Sequence, residues 1–166
     1  MDIYCKTKTE AGEFWIGCSP AGITMISPAE TAAAFEETYR RNFGVKPRRG
    51  EIPESCIHAL REAAAGRPFD AVRIDLSGLT EFQRKVLKIL QQVPRGEVRT
   101  YAWLARKAGR PNAARAVGNT MARNPVPILV PCHRVVPAGG GIGSYGLGSE
   151  LKRNLLSREG VAVDEL

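Results

Sequence analysis

The chain has 166 residues, of which 43% are hydrophobic and 25% are charged, a balance typical of a globular protein. No apolar stretch approaches the ~20 residues that a membrane-spanning helix needs, so no membrane partner is expected. Lysine and arginine outnumber acidic residues by 24 to 17, and the net charge of +7 is compatible with a polyanionic partner such as DNA. A generic basic surface would have the same charge, so a binding element is needed beside it.

The first ten residues, MDIYCKTKTE, lack the apolar core of a signal peptide. We therefore expect a cytoplasmic location, or a nuclear one in a eukaryote, and four cysteines that need not be paired. Cys56 and His58 lie close together without a CxxC pair, so no metal ion is expected. The segment GGGIGSYG contains a formal GxGxxG, but only about 20 residues follow it, too few to complete a dinucleotide-binding βαβ unit. No cofactor is expected.

Patterning in the first half predicts a mixed α/β unit. The runs EFWIGCS and ITMIS, separated by PAG, predict a β-hairpin. In SPAETAAAFEETYRRNFG, Ser27 and Glu30 match a capping box with Pro28 as the first helical residue, and Gly44 matches a stop signal. A second helix is predicted over about 54 to 65, and FDAVRIDL alternates like a strand.

A joint between two domains is predicted at DLSGLTEFQ, where serine and glycine interrupt the pattern. The predicted domains are an N-terminal α/β domain, 1–78, and a mostly helical C-terminal domain, 79–166. Thr80 and Gln83 match a second capping box, which predicts the start of a helix that ends before Pro94.

The segment TYAWLARKAGRPNAARAVGNTMARN predicts two short helices, 101–108 and 112–123, joined by a tight turn. This is the pattern of a helix-turn-helix, although generic two-helix hairpins are commoner than DNA-binding ones. The outer face of the second helix carries small residues and a single arginine, which allow close approach to another backbone: Arg115, Gly118, Asn119 and Ala122. The glycine-rich segment GGGIGSYG predicts a hairpin tip, or wing, beside the two helices.

The six residues PCHRVV follow an apolar run closed in by prolines, NPVPILVP, which predicts a short buried segment that ends in a rigid turn. A thiol is a good nucleophile only as thiolate, which requires a nearby base or a positive field. His133 and Arg134 could supply either. Adjacent side chains tend to diverge, so a bridging water competes with a direct contact. From these residues alone Cys132 remains a nucleophile, a metal ligand or a buried structural thiol.

The stretch RAVGNTMARNPVPILVPCHRVV, followed by SYGLGSELKRNLLSREG, closely resembles the O6-alkylguanine-DNA alkyltransferases, also called methylated-DNA–protein-cysteine methyltransferases. The resemblance covers about 79 to 160, while the N-terminal half agrees only in size and α/β pattern. It implies a ribonuclease H-like N-terminal domain, with a small antiparallel sheet and helices, and a C-terminal domain with a winged helix-turn-helix. The implied partner is double-stranded DNA carrying O6-alkylguanine, bound by a monomer without cofactor or metal.

The resemblance implies that Cys132 accepts the alkyl group from O6 of guanine, and also from O4 of thymine. A thioether has no good leaving group, so each molecule reacts once. The family's cysteine is activated through a water held by the next residue, here His133, which an acid in the terminal helix, here Glu159, orients. Asn124 matches the asparagine that braces the turn, and Tyr101 matches the tyrosine that donates a proton toward N3 of the leaving guanine.

The resemblance also implies that the damaged nucleotide is flipped out of the duplex into a pocket. Arg115 matches the arginine that fills the gap in the base stack while the second helix lies in the minor groove. Pocket positions are matched by Met121, Val135 and Tyr145. The family often has serine where this chain has Gly146, so pocket width and substrate range depend on that position.

Three alternatives remain beside alkyl transfer. A non-catalytic lesion sensor of related fold would bind the flipped base without reacting. A Cys-His thiol hydrolase would turn over an ester or peptide steadily. A plain helix-turn-helix regulator would read a specific sequence in the major groove.

Overall fold

A computed structural model describes all residues, 1–166. Its larger sheet has four strands in the order β3-β2-β1-β4. The strands are β1 (Ile3–Thr9), β2 (Gly12–Ser19), β3 (Gly22–Ser27) and β4 (Arg48–Arg49). The neighbours β1, β2 and β3 pair antiparallel, and β4 pairs parallel to β1. The predicted hairpin is confirmed as β2 and β3, whereas the strand β1 was not predicted because its polar sequence, IYCKTKT, lacks a marked apolar pattern.

The first helix, α1 (Ala32–Phe43), begins four residues later than the predicted capping box places it. Its cap is Thr31, whose side chain accepts a hydrogen bond from the Ala34 amide at 3.1 Å. Ser27 is the last residue of β3, so its backbone belongs to the sheet and cannot start a helix. The predicted cap was therefore wrong, because strand pairing takes precedence over a local capping motif. The predicted stop at Gly44 is confirmed.

The second helix, α2 (Glu54–Ala64), matches its prediction, but the strand predicted for FDAVRIDL does not form. Only Ile74 makes a bridge, to Ile23 at the start of β3. Gly22 leaves no room for a side chain at this crossing, since a Cβ there would lie 2.5 Å from the Arg73 carbonyl oxygen. The segment crosses the sheet edge at one point instead of pairing along it.

The second half of the chain is mostly helical, as predicted. Its helices are α3 (Glu81–Leu90), α4 (Tyr101–Lys107), α5 (Ala114–Ala122) and α6 (Ser149–Arg158). The capping box of Thr80 and Gln83 at the start of α3 is confirmed. None of the helices combines the length and apolar character that crossing a membrane requires.

A two-stranded parallel ribbon places the start of α4 beside the segment that carries Cys132. Its strands are β5 (Arg99–Thr100) and β6 (Val135–Val136). Tyr101 follows β5 directly, and the single turn of 3-10 helix that contains Cys132, Cys132–Arg134, precedes β6. Residues far apart in sequence therefore meet at one end of the ribbon.

The glycine-rich segment after β6 forms turns without any strand. The backbone folds back on itself at Gly143, where φ is +76° and a Cβ would lie 2.8 Å from the Pro137 ring. The predicted hairpin was therefore wrong, because β6 pairs only with β5 and has no returning partner.

One buried cluster contains side chains from both sides of the predicted joint, among them Ile16, Leu60, Leu87, Val130 and Leu155. A smaller aromatic cluster packs α1 against the other face of the sheet. Burial of a large apolar side chain contributes roughly 1.5–3 kcal/mol, so the contacts across the joint couple the two halves energetically.

Candidate active site

Cys132 sits at the end of a tightly folded apolar turn. Within it the Val130 amide bonds to the Val126 carbonyl at 3.0 Å, and the Cys132 amide to the Val130 carbonyl at 2.8 Å. Ile128 has φ +75°, the only residue other than glycine with positive φ. A β-branched residue in this region is strained by about 1–3 kcal/mol, and such strain is found where surrounding structure holds a functional turn.

Asn124 forms hydrogen bonds to three residues of the turn. Its Nδ2 donates to the Val130 carbonyl at 3.0 Å and to the Sγ of Cys132 at 3.2 Å, and its Oδ1 accepts from the Val126 amide at 3.0 Å. These contacts fix both the path of the turn and the position of the thiol.

His133, Arg134 and Glu159 form a buried cluster behind the thiol. The Nε2 of His133 lies 2.7 Å from one carboxylate oxygen of Glu159, the residue after α6. Arg134 donates to both oxygens of that carboxylate, at 2.9 and 3.0 Å, and to the Val93 carbonyl at 2.7 Å. Because a carboxylate only accepts, Nε2 of His133 carries the proton and Nδ1 is the free acceptor. That Nδ1 is buried and has no partner within the chain.

The charges of this cluster follow from its contacts. Burial raises the pKa of Glu159, but the hydrogen bonds from His133 and Arg134 outweigh it and hold that pKa at about 2. Burial also lowers the pKa of His133, and the neighbouring carboxylate does not reverse this. The imidazole is therefore neutral beside an ionised carboxylate.

Lys152 is a site residue that sequence reasoning missed. It is fully buried on α6, and its Nζ donates to the Val135 carbonyl at 2.7 Å and the Ser144 carbonyl at 3.3 Å. Burial lowers its pKa to about 8. The signal was present: Lys152, Leu155 and Glu159 follow helical spacing on one face, so an apolar face of α6 carries two charges.

The Cys132 thiol has a pKa above its ordinary value in this state. Burial raises it most, while the hydrogen bond from Asn124 and the charge of Lys152 lower it by less. The thiol is thus protonated at neutral pH, and a nucleophilic reaction requires a base to remove its proton.

Cys132 opens onto two cavities. One, of about 60 Å³, is also lined by Tyr101, Met121, Tyr145 and Gly146. The other, of about 270 Å³, shares the last three of these residues and is also lined by residues 25–28 and 42 of the N-terminal half.

Tyr145 and Val135, both predicted to line the pocket, lie in different surroundings. The Tyr145 hydroxyl is buried without a hydrogen-bond partner. Val135 is buried but lines neither cavity, and its carbonyl is occupied by Lys152.

The outer face of α5 lies beside the smaller cavity. Arg115, Asn119 and Ala122 are exposed. A Cβ at Gly118 would meet nothing within 4 Å, so this face is open to a close approach.

The other three cysteines lie outside this site. Cys5, Cys18 and Cys56 are free, as is Cys132. No group of three or more histidine, cysteine or acidic side chains is arranged to hold a metal ion.

We expect the free energy of unfolding to fall as the protein is acidified below about pH 5. Glu159 has a pKa of about 2 when folded and about 4.3 when unfolded, so the unfolded chain binds the proton first. The stabilisation is present above pH ~4.3 and is lost as the pH falls toward 2, on the order of 3 kcal/mol. The lowered pKa of His133 acts in the same direction below about pH 6.5.

Urea denaturation of the wild type and Glu159→Gln at pH 7 and pH 3 measures this effect. The stability difference between them should shrink at pH 3. A difference that does not change with pH would contradict the assignment.

Comparison with known proteins identifies relatives of this chain. The family described as "6-O-methylguanine DNA methyltransferase, DNA binding domain" matches residues 81–161. A methylated-DNA–protein-cysteine methyltransferase of Methanosarcina acetivorans is 40% identical over 154 residues, which cover 86% of this chain and 94% of the relative. The protein of that name from Methanothermobacter thermautotrophicus is 41% identical over 96 residues, 58% of this chain and about half, 53%, of the relative's length.

Solved structures agree over nearly the whole chain. The O6-methylguanine methyltransferase of Mycobacterium tuberculosis is 33% identical with a TM-score of 0.79, covering 96% of this chain and 93% of the other. Its complex with DNA has a TM-score of 0.77 at 33% identity, covering 95% and 92%. The O6-methylguanine-DNA methyltransferase of Pyrococcus kodakaraensis has a TM-score of 0.73 at 32% identity, covering 97% and 100%. The chain belongs to the methylated-DNA–protein-cysteine methyltransferase family and shares its fold.

Proposed function

We propose that the protein repairs DNA by moving the alkyl group of O6-alkylguanine, and of O4-alkylthymine, onto its own Cys132 in a single turnover. One observation carries the proposal. Cys132 is braced by Asn124 at 3.2 Å and is followed by a neutral His133 that bonds to a buried Glu159 at 2.7 Å. The nucleophile lines a cavity beside an exposed helix face, with the base and the orienting acid buried behind it.

The chemical step is an in-line displacement at the alkyl carbon. The sulfur of Cys132 forms a bond to that carbon while the bond from carbon to guanine O6 breaks, and the electron pair leaves with guanine. Tyr101, which lines the smaller cavity, donates a proton toward N3 of the leaving base. The product thioether cannot leave, so the protein is consumed in the reaction.

His133 takes the thiol proton through a water molecule. Two observations support this route. The raised pKa of Cys132 means that its proton must be removed during the reaction. The Nδ1 of His133 is the unprotonated ring nitrogen and has no partner within the chain, so it can accept a hydrogen bond from such a water.

DNA is bound through the outer face of α5. In this proposal α4 and α5 form a winged helix-turn-helix, with the glycine-rich turns after β6 as the wing. Gly118, Asn119 and Ala122 lie against the minor groove, and Arg115 replaces the flipped nucleotide in the stack. The net charge of +7 adds the attraction to phosphates on which such binding depends.

We further propose a two-domain architecture. The four-stranded sheet with α1 and α2 forms a ribonuclease H-like N-terminal domain, 1–78, and residues 79–166 form the DNA-binding and alkyl-acceptor domain. The protein acts as a monomer in the cytoplasm, or in the nucleus of a eukaryote, without cofactor or metal.

The pocket for the flipped base is formed by Met121, Tyr145 and Gly146, while Val135, predicted as a pocket residue, lines neither cavity at Cys132 and has its carbonyl bonded to Lys152. A Cβ at Gly146 would meet nothing within 4 Å, so a serine there would be accommodated. The absence of that side chain leaves more width next to Cys132, which favours acceptance of bulkier alkyl groups.

The decisive experiment incubates the protein with a duplex oligonucleotide that carries one O6-methylguanine. Intact mass should show a single added methyl group, and peptide mapping should place it on Cys132, with one lesion repaired per molecule. Tight lesion binding by an unmodified protein would favour the non-catalytic sensor. Steady release of product from an ester or peptide would favour a thiol hydrolase, and sequence-specific binding of undamaged DNA would favour a regulator.

Replacement of Arg115 by alanine should slow repair in duplex DNA by about 10- to 100-fold, because holding a base out of the stack costs a few kcal/mol. Reaction with free O6-benzylguanine should be unchanged, since no base has to be flipped. Rates with both substrates measure the difference, and Arg153→Ala on α6 is the matched control. Equal losses on the two substrates would refute the flipping role.

A further inference from the structure

The end of α6 that leads into Glu159 is held by the N-terminal half of the chain. Gly66 follows α2 with φ +78°, and its backbone packs directly on Arg158, the last residue of α6. A Cβ at Gly66 would lie 2.5 Å from both the carbonyl carbon and the carbonyl oxygen of Arg158. Two backbones therefore touch one residue before the carboxylate that orients His133.

An ion pair of Arg158 also holds the end of α6. The Nη1 of Arg158 donates to one carboxylate oxygen of Glu10 at 2.7 Å, in the turn between β1 and β2. The other oxygen of Glu10 accepts from Arg67 at 3.1 Å, and Arg67 also bonds to both oxygens of Glu62 on α2. One carboxylate thus joins the β1–β2 turn, the segment after α2 and the end of α6.

The loop after α3 also contacts the segment that follows α2 and the residue that follows α6. The Nη1 of Arg95 donates to the Gly66 carbonyl at 3.1 Å. The next residue, Gly96, has φ +85°, and a Cβ there would lie 3.1 Å from the Glu159 carbonyl oxygen. The backbone of Glu159 is therefore confined by glycines on two neighbouring segments.

We propose that Gly66 and Glu10 are positioning residues for the Cys132 site, acting through the backbone of Arg158 and Glu159 on the orientation of His133. The inference rests on the proposed function for its effect on repair, but not for its effect on the imidazole. A hydrogen bond weakens steeply when its atoms separate, so a displaced end of α6 releases the imidazole from its tautomer and orientation. This gives the N-terminal half a role in orienting His133, beside its contribution to the lining of the larger cavity.

The groups that titrate around His133 and Cys132 come from several elements, and the test leaves them all in place. They are Glu159 and Lys152 on or next to α6, Arg134 in the 3-10 turn, Tyr101 on α4 and Tyr145 in the glycine-rich segment.

The variants are Gly66→Ala and Glu10→Gln, with Gly22→Ala as the matched control. A Cβ at Gly22 would lie 2.5 Å from the Arg73 carbonyl oxygen, so that variant has the same backbone clash at a contact with Arg73 and not with Arg158. The chain has two histidines, so ¹⁵N-histidine labelling yields two imidazole spin systems, and the exposed His58 serves as an internal reference.

We expect both variants to change the ring-nitrogen shifts of His133 and to move the pH profile of alkylation of Cys132 by free O6-benzylguanine to higher pH. Gly66→Ala should slow repair about tenfold, and Glu10→Gln should slow it less, with lesion-DNA affinity unchanged. Gly22→Ala should lower stability while the His133 shifts and the pH profile stay as in the wild type.

Wild-type His133 shifts and an unchanged pH profile in Gly66→Ala would overturn the proposal, whatever happens to stability. If Gly66→Ala does not fold, the same readouts on Glu10→Gln decide. A wild type that is never alkylated would sink the proposed function alone, since the ring-nitrogen shifts still report whether the N-terminal half positions His133.

Discussion

Cys132→Ala should acquire no methyl group from O6-methylguanine DNA while it still binds the lesion. The reason is local: the substitution removes only the sulfur, and Asn124 keeps its bonds to the Val130 carbonyl and the Val126 amide. The turn therefore survives, with a loss of about 1 kcal/mol for the lost atom's packing. Intact mass measures methyl transfer, and a titration with the damaged duplex measures lesion binding.

The matched control for that variant is Cys18→Ala, which removes another buried thiol. Burial raises the pKa of Cys18 to about 12, so it is not expected to react, and the control should be methylated once on Cys132 like the wild type. Transfer that continues in Cys132→Ala would mean that another residue is the acceptor. Transfer lost in both variants would point to damage to the fold instead of loss of the nucleophile.

Glu159→Gln should slow alkyl transfer by about 10²–10³-fold with little change in DNA affinity. A glutamine has nearly the same shape, but its amide group can donate to Nε2 of His133. That contact favours the tautomer with the proton on Nδ1, the nitrogen that must accept the proton of Cys132. The substitution also leaves Arg134 without the carboxylate to which it donates two hydrogen bonds.

Single-turnover rates on the damaged duplex, measured from pH 6 to pH 9, check this prediction. Glu37→Gln, which breaks an exposed ion pair with Arg40 on α1, serves as the control and should react at the wild-type rate. A Glu159→Gln variant with wild-type rates throughout would show that the imidazole needs no orienting carboxylate.

Local signals predicted the fold where no tertiary contact competed with them. Thr80 and Gln83 share hydrogen bonds three residues apart, and nothing else claims those groups, so α3 begins where the motif places it. Ser27 and Glu30 have the same spacing, yet Ser27 belongs to a strand that pairs across the sheet. Whether a capping motif starts a helix depends on whether other hydrogen bonds already hold its backbone. The motif itself does not show that its first residue pairs in a strand.

The residues of the candidate site also differ in whether the local sequence predicts them. Cys132 and His133 are neighbours in the chain, so their association follows from the stretch itself, whereas Asn124 was assigned to the turn only through the resemblance to a family. Glu159 was placed beside them only through the resemblance to a family, because 26 residues separate it from His133. Lys152 was missed altogether, since a lysine on a helix is ordinarily a solvated residue.

The sequence by itself determined the adjacency of Cys132 and His133, the helical second half and the basic charge, because each depends on residues close together in the chain or on composition alone. Only the tertiary structure decided the protonated state of Cys132, the burial of Lys152 and the contact of Gly66 with Arg158. Those properties arise from the exclusion of water and from the close approach of backbones distant in sequence. Both require the whole core to be assembled.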